Sequence, residues 1–254
     1  MRTIAIVNQK GGSGKTTTAV NLSGALAEAN KKVLLMDLDP QASASLWFGF
    51  KDHGKGLFEA LTEDGKLEDA IQKTDFESLH IISSSPLLAG VEKVLANEVA
   101  SEIILKTKVN SLPGRPWDYV LVDCPPTLGI LSLNALTMAN EVLIPVEARV
   151  MALHGLVQLL KTINLVKQRL NPHLKITGIL PCRVDYRTKH SEEVLGQLQT
   201  RFEGQLFKTV IRENIRLAEA ALHLKPITVY DPKCNGSKDY RALASEIIRQ
   251  EATS

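Results

Sequence analysis

Arg2-Thr3-Ile4-Ala5-Ile6-Val7-Asn8-Gln9-Lys10-Gly11-Gly12-Ser13-Gly14-Lys15-Thr16-Thr17-Thr18 opens the chain and decides its architecture. The apolar, β-branched run over 2–7 has the length and composition of a buried strand. A glycine-rich turn follows, and from 16 to 30 Ala, Leu and Val recur on one face of a helix. A strand, a glycine turn and a helix opening on Lys-Thr make a phosphate cradle. The glycines let backbone N–H groups close around phosphate oxygens, and the helix N-terminus adds a favourable dipole. In such a cradle Lys15 reaches the β- and γ-phosphates of a nucleoside triphosphate, and the Thr16 hydroxyl can ligate Mg²⁺.

Working outward, short β-branched runs at 32–37, 79–83, 119–123, 141–146 and 176–180 alternate with helical patterns at 87–108, 130–139, 152–169 and 191–202. The alternation predicts an α/β fold, a mostly parallel twisted sheet with helices on both faces and a ligand crevice at the strand carboxyl ends. The turn-rich stretches 49–56 and 112–116 are too short for linkers, so one domain over 1–254 is expected. With 254 residues the chain can bury a core without disulfides. Its 44% hydrophobic and 23% charged residues exclude a disordered or collagen-like polymer. Three cysteines, Cys124, Cys182 and Cys234, lack C-x-x-C spacing and leave one unpaired, which points to a reducing compartment. No apolar stretch reaches the ~18 residues of a membrane span, and Asn8-Gln9-Lys10 arrives too early for a signal peptide. A soluble cytoplasmic protein is expected. The histidines, His53, His80, His154, His173, His190 and His223, show no metal spacing and read as surface or packing residues.

The standard phosphate-loop spacing G-x-x-x-x-G-K-[ST] is not met, because Gln9 stands where the first glycine belongs. A second lysine, Lys10, precedes Gly11 instead. It cannot easily fold back beside Lys15, so it is expected to point outward, towards a nucleotide held by a second subunit. Lys10-Gly11-Gly12-Ser13-Gly14-Lys15-Thr16 resembles the deviant Walker A box of the ParA/MinD family of dimerising ATPases. The resemblance implies a P-loop NTPase fold, ATP and Mg²⁺ as cofactors, and nucleotide contacts from Lys10 through Thr17. It also implies an ATP-sandwich homodimer in which Lys10 contacts the partner's ATP.

Leu34-Leu35-Met36-Asp37-Leu38-Asp39-Pro40-Gln41 ends the second strand with two acids on one side of the strand. Either carboxylate could orient an attacking water, or cap the helix read over 42–48. The D-x-D-P-Q string resembles the family's second box, which gives Asp39 the hydrolytic water, with Lys10 and Lys15 as catalytic partners, and leaves Asp37 structural. Tyr119-Val120-Leu121-Val122-Asp123-Cys124-Pro125-Pro126 places another acid at a strand end. It resembles the family's Walker B and switch segment, so Asp123 joins Thr16 and Asp39 as a magnesium site. Cys124 pairs with nothing at a cluster spacing and reads as a core residue. From topology, backbone groups around 181–183 and 226–231 are expected near the adenine.

Residues 1–150 carry 14 basic and 18 acidic side chains, and 151–254 carry 16 and 10. Asp185-Tyr186-Arg187-Thr188-Lys189-His190 and the segment 211–220, read as opening a helix, hold exposed cations that either bind phosphates or merely solvate the surface. Both resemble stretches of chromosomal, Soj-like ParA proteins, which implies Arg187 and Arg216, then Lys189 and Arg212, as contacts to non-specific double-stranded DNA. The implied function is a partition ATPase. It dimerises on ATP, sits on the nucleoid and lets go when a ParB-like adaptor stimulates hydrolysis, positioning DNA or other cargo. A MinD-like membrane ATPase is the alternative, but the tail 244–254 is weakly apolar and makes a poor anchor, so no membrane is expected. A P-loop kinase or iron–sulfur carrier explains neither Lys10 nor the basic segments. Two departures from the family pattern stand out: Glu147-Ala148-Arg149-Val150-Met151 where a Gln and aromatics are common, and Ala220-Ala221 where Ala-Pro is usual.

Overall fold

A computed structural model describes residues 1–51, 56–63, 65–114, 116–149 and 152–251. His53 and part of the 49–56 turn lie outside these residues, as do the last three residues of the tail. The side chains of His154 and His190 are likewise not described.

Among the described residues, eight strands form one sheet: β1 (Arg2–Ile6), β2 (Val33–Asp37), β3 (Ile71–Lys73), β4 (Leu79–Ile82), β5 (Tyr119–Asp123), β6 (Glu141–Glu147), β7 (Lys175–Val184) and β8 (Ile211–Arg212). Their order is β3-β4-β2-β5-β1-β6-β7-β8, and all pairs are parallel except β3 with β4. The helices are α1 (Lys15–Glu28), α2 (Ser43–Trp47), α3 (Gly56–Thr62), α4 (Val91–Leu95), α5 (Ile104–Asn110), α6 (Ile130–Met138), α7 (Ala152–Arg169), α8 (Lys189–Arg201), α9 (Ile215–Leu222), α10 (Ile227–Tyr230) and α11 (Asn235–Glu251). Because strand side chains alternate, each strand feeds two cores. Ile4, Ile6, Leu35, Leu121 and Leu143 pack with α1, α2, α10 and α11 on one face. Ala5, Met36, Val122 and Ile144 pack with α3 to α8 on the other. Burial of one such Leu or Ile contributes about 1.5–3 kcal/mol, so both faces are held firmly. The sheet is the predicted doubly covered one.

Three expectations are corrected. The helix read over 87–108 is broken into a 3₁₀ turn (Pro86–Gly90), α4, another turn (Ser101–Ile103) and α5. Ala100 adopts a left-handed φ of 59° at the break, where the Asn134 side chain donates to the Ser101 carbonyl (2.8 Å) and accepts from the Leu105 N–H (2.9 Å). A tertiary partner thus rewrites a helical pattern. The segment 211–220 begins as β8 and turns helical only at Ile215, because the Arg212 N–H is taken by Asp239 (3.0 Å) and Asn214 caps α9 through the Arg216 N–H (3.0 Å). The strand expected over 176–180 runs on through Pro181 to Val184, carrying a register shift between Cys182 and Val184. The short strands β3 and β8 were not foreseen; two or three residues carry no usable period.

Candidate nucleotide-binding site

β1 lies between β5 and β6, so its carboxyl end opens into the crevice where strand order reverses. The loop leaving it is shaped first by Asn8. Its side-chain amide donates to the Pro145 carbonyl (2.6 Å), and its oxygen accepts the Lys10 N–H (3.0 Å). Gly12 and Gly14 take φ values of 74° and 92°, in the region a Cβ resists. Gly14 is the N-cap of α1, and no side chain caps that turn. The leading N–H groups of α1 therefore remain turned towards an anion. The Ser13 hydroxyl is buried here without a hydrogen-bond partner.

Three strand-end acids sit beneath the loop. Asp37 and Asp123 are register neighbours on β2 and β5. Asp37 is fully engaged: it accepts from the Ser45 N–H (2.8 Å), the Ser45 hydroxyl (2.7 Å) and the Asp39 N–H (3.1 Å). Burial pushes its carboxyl up to about 6 despite those bonds. It ties β2 to α2, the structural part assigned to it. Asp39 accepts the Gln41 N–H (2.9 Å) and lines the open cleft. Asp123 is fully buried, and neither of its oxygens is hydrogen-bonded. Burial, then the charge of Asp37, raises its pKa well above the carboxylate range, while Thr16 and Lys15 pull the other way. Burial also lowers the Lys15 pKa, against the attraction of Asp123 and Asp39. A buried, unpartnered carboxylate beside a Thr hydroxyl and a lysine fits a divalent cation held together with phosphate oxygens.

The cleft has a volume of about 830 Å³, within the range of small-molecule sites. It is lined by Gly11, Gly12, Gly14, Lys15, Thr16 and Thr17 of the loop and α1, and by Trp47, Arg183, Ala218 and Ala221 from other elements. Residues 181–183 contribute Cys182 and Arg183 to this lining. Residues 226–231 do not. They pack on α1, where the Ile227 N–H donates to Asn21 (2.6 Å). The α9 wall was missed because its contribution depends on how that helix lies across the sheet edge. Cys124 is buried in the core, and burial raises its thiol pKa well above the ordinary value.

Lys10 is not part of the cleft lining. Its ammonium lies 3.0 Å from Glu147 at the end of β6, and its side chain is 41% exposed. Glu147 carries the same strand-terminal-acid signal as Asp37 and Asp123. Among the arginines, Arg187 is 87% exposed and grips Asp185 through two 2.8 Å bonds, holding that carboxyl down at about 2. Lys189 is exposed at the start of α8. Arg216 is half exposed on α9, paired with Glu219 at 2.7 Å. Arg212 is committed to Asp239 through its backbone and guanidinium, both at 3.0 Å, which fastens β8 to α11. Arg187 and Arg212 reach the cleft rim; Arg216 stands apart from it.

A family model described as an AAA domain matches residues 1–176. The sporulation initiation inhibitor protein Soj of Bacillus subtilis is 42% identical, covering 96% of this chain and 97% of its own. The chromosome partitioning protein ParA of Myxococcus xanthus is 41% identical, covering 98% and 89%. Among solved structures, the cobyrinic acid a,c-diamide synthase of Mycobacterium smegmatis with bound ATP analogue and magnesium superposes with a TM-score of 0.88 at 34% identity, covering 100% of this chain and 96% of that one. Near-full-length identity at this level, joined to a deviant phosphate loop above a buried strand-end carboxylate, places the chain in the ParA/Soj family of partitioning P-loop ATPases.

Proposed function

We propose that residues 1–254 form a single ATPase domain that works as a nucleotide-driven DNA partition switch. ATP occupies the cleft with its triphosphate on Gly11 to Thr17 and Lys15 against its terminal phosphates. Thr16, Asp123 and Asp39 would hold Mg²⁺, and the ion would neutralise charge on the phosphate oxygens. Asp39 orients the attacking water. Lys10 bridges to the triphosphate of a second copy, so that ATP closes a sandwich homodimer. Closure brings two sets of Arg187, Lys189 and Arg216 together as one phosphate-binding face for non-specific double-stranded DNA. Arg212 supports that face from behind by anchoring β8. A ParB-like adaptor stimulates hydrolysis and the dimer dissociates from the nucleoid. Cytoplasmic placement follows from a nucleoid partner.

The observation that most supports this reading is the divergence of the two loop lysines. Lys15 faces Asp39 and Asp123 inside the cleft, whereas Lys10 lies outside it. This supports a reading in which one lysine serves its own nucleotide and the other a neighbour's. Asp39→Ala tests this directly: with ATP and Mg²⁺ it should accumulate as a dimer by light scattering, retain DNA in a shift assay, and hydrolyse ATP at least tenfold more slowly than wild type, the order of a lost positioning group. A variant that stays monomeric at saturating ATP, or turns over normally, overturns the reading.

A further inference from the structure

Glu147 ends β6 at the sheet's carboxyl edge, with its side chain only 5% exposed. Three cations from three separate segments converge on this one carboxylate. Lys10 reaches Oε2 at 3.0 Å from the phosphate loop. Arg149 Nε reaches Oε1 at 3.0 Å from the end of the strand, and Arg183 Nη1 reaches it at 3.1 Å from β7. Arg183 arrives through a left-handed φ of 55° at the register shift of β7, a conformation that costs a non-glycine residue energy. Its guanidinium also touches Glu213 at 3.3 Å.

This stoichiometry has a consequence. A buried carboxylate stripped of its sole cation is strongly destabilised. Had Lys10 been the only partner, its departure would leave such a charge behind. With Arg149 and Arg183 on the other oxygen, Lys10 can leave while Glu147 stays neutralised. The cluster restrains Lys10 without trapping it.

We propose that Glu147 is the resting counter-ion of Lys10, a positioning residue that competes with the triphosphate of a second copy of this chain for the Lys10 ammonium. It thereby sets how readily ATP drives dimerisation. Arg149 and Arg183 share the carboxylate and weaken its hold. The proposal rests on the sandwich-dimer reading above and adds to it a threshold residue with two tuning cations.

The experiment measures the dimer dissociation constant by sedimentation equilibrium at saturating ATP and Mg²⁺, in the Asp39→Ala background. Glu147→Gln keeps the shape and a hydrogen-bond acceptor but removes the charge. It should tighten the dimer about tenfold, from about threefold for each of the two Lys10 side chains, the scale of a partly exposed ion pair. Arg149→Gln should move the constant in the opposite direction, because Glu147 then holds Lys10 harder. General damage to the interface would weaken the dimer in both variants. An unchanged or weaker dimer in Glu147→Gln, or no weakening in Arg149→Gln, overturns the proposal. If Glu147→Gln fails to fold by circular dichroism, Glu147→Asp takes its place: it keeps the charge but draws the carboxylate back from Lys10, so it should likewise tighten the dimer, and a weaker or unchanged dimer overturns the proposal. An Asp39→Ala parent that remains monomeric sinks the sandwich reading itself, and this proposal with it.

Discussion

Asp123 and Glu141 are both strand-end or strand-start carboxylates, yet their surroundings drive them in opposite directions. Asp123 has no hydrogen bond to either oxygen, and burial raises its pKa. For Glu141, burial alone would also raise the pKa, but bonds from Arg2 (2.6 and 2.7 Å) and Thr177 (2.7 Å) hold it below the ordinary value. The folded protein thus binds fewer protons at Glu141 than the unfolded chain does. Its stabilisation is present above the ordinary carboxylate pKa and is lost as pH falls through the folded-state value. Glu141→Gln should therefore cost about 1–2 kcal/mol at neutral pH and progressively less as pH falls through the folded-state value of Glu141, measured by urea unfolding across pH. Lys15→Ala belongs to the same scale: it removes the cation facing Asp39 and Asp123, and nucleotide binding by calorimetry should fall below detection.

At the scale of elements, α1 is both the phosphate-binding helix and the packing partner of α10 and α11. It meets the start of α10 at Gly24, where an added Cβ would lie 2.5 Å from the Pro226 Cβ and 3.0 Å from its Cγ. A proline ring cannot swing aside. Gly24→Ala should lower stability by about 1–3 kcal/mol through overpacking, although alanine is intrinsically the better helix former by roughly 1 kcal/mol. A melting temperature reduced by several degrees in calorimetry would verify it; a rise would show that α10 yields. The same scale explains which elements were legible. The α7 helix matched its pattern to the residue, since its apolar face spans many turns and packs on Ile144 and its neighbours. The pattern over 87–108 was equally helical in sequence but failed. There the Asn134 side chain, 29 residues beyond Leu105 and 33 beyond Ser101, supplies hydrogen-bond partners to the backbone that compete with the helix.

Across the whole molecule, charge divides unevenly between the two halves of the chain. The basic excess lies in 151–254, and in this structure Arg187 and Arg216 are occupied by Asp185, Glu219 and, at 3.6 Å, Asp231. Exposed pairs of this kind exchange readily for phosphate. Arg187→Glu with Arg216→Glu should abolish ATP-dependent DNA retention in a shift assay while light scattering still reports a dimer. For the unaltered protein, log affinity should fall linearly with log salt, by about 0.9 per phosphate contacted, and differ little between DNA sequences. Retention of DNA by the double variant would move the DNA face elsewhere.

The sequence by itself determined the strand–loop–helix cradle, the parallel sheet covered on both faces and the order of the acidic strand ends. Each is local: a period of two or 3.6, a glycine run, or a polar residue closing an apolar stretch. Tertiary structure alone decided that Asp123 is left without a hydrogen bond, that α9 rather than 226–231 walls the cleft, and that Lys10 rests on Glu147. Those outcomes depend on which strand ends become neighbours and how a bulge turns Arg183. Contacts between residues more than a hundred positions apart leave no periodic trace in the chain that makes them.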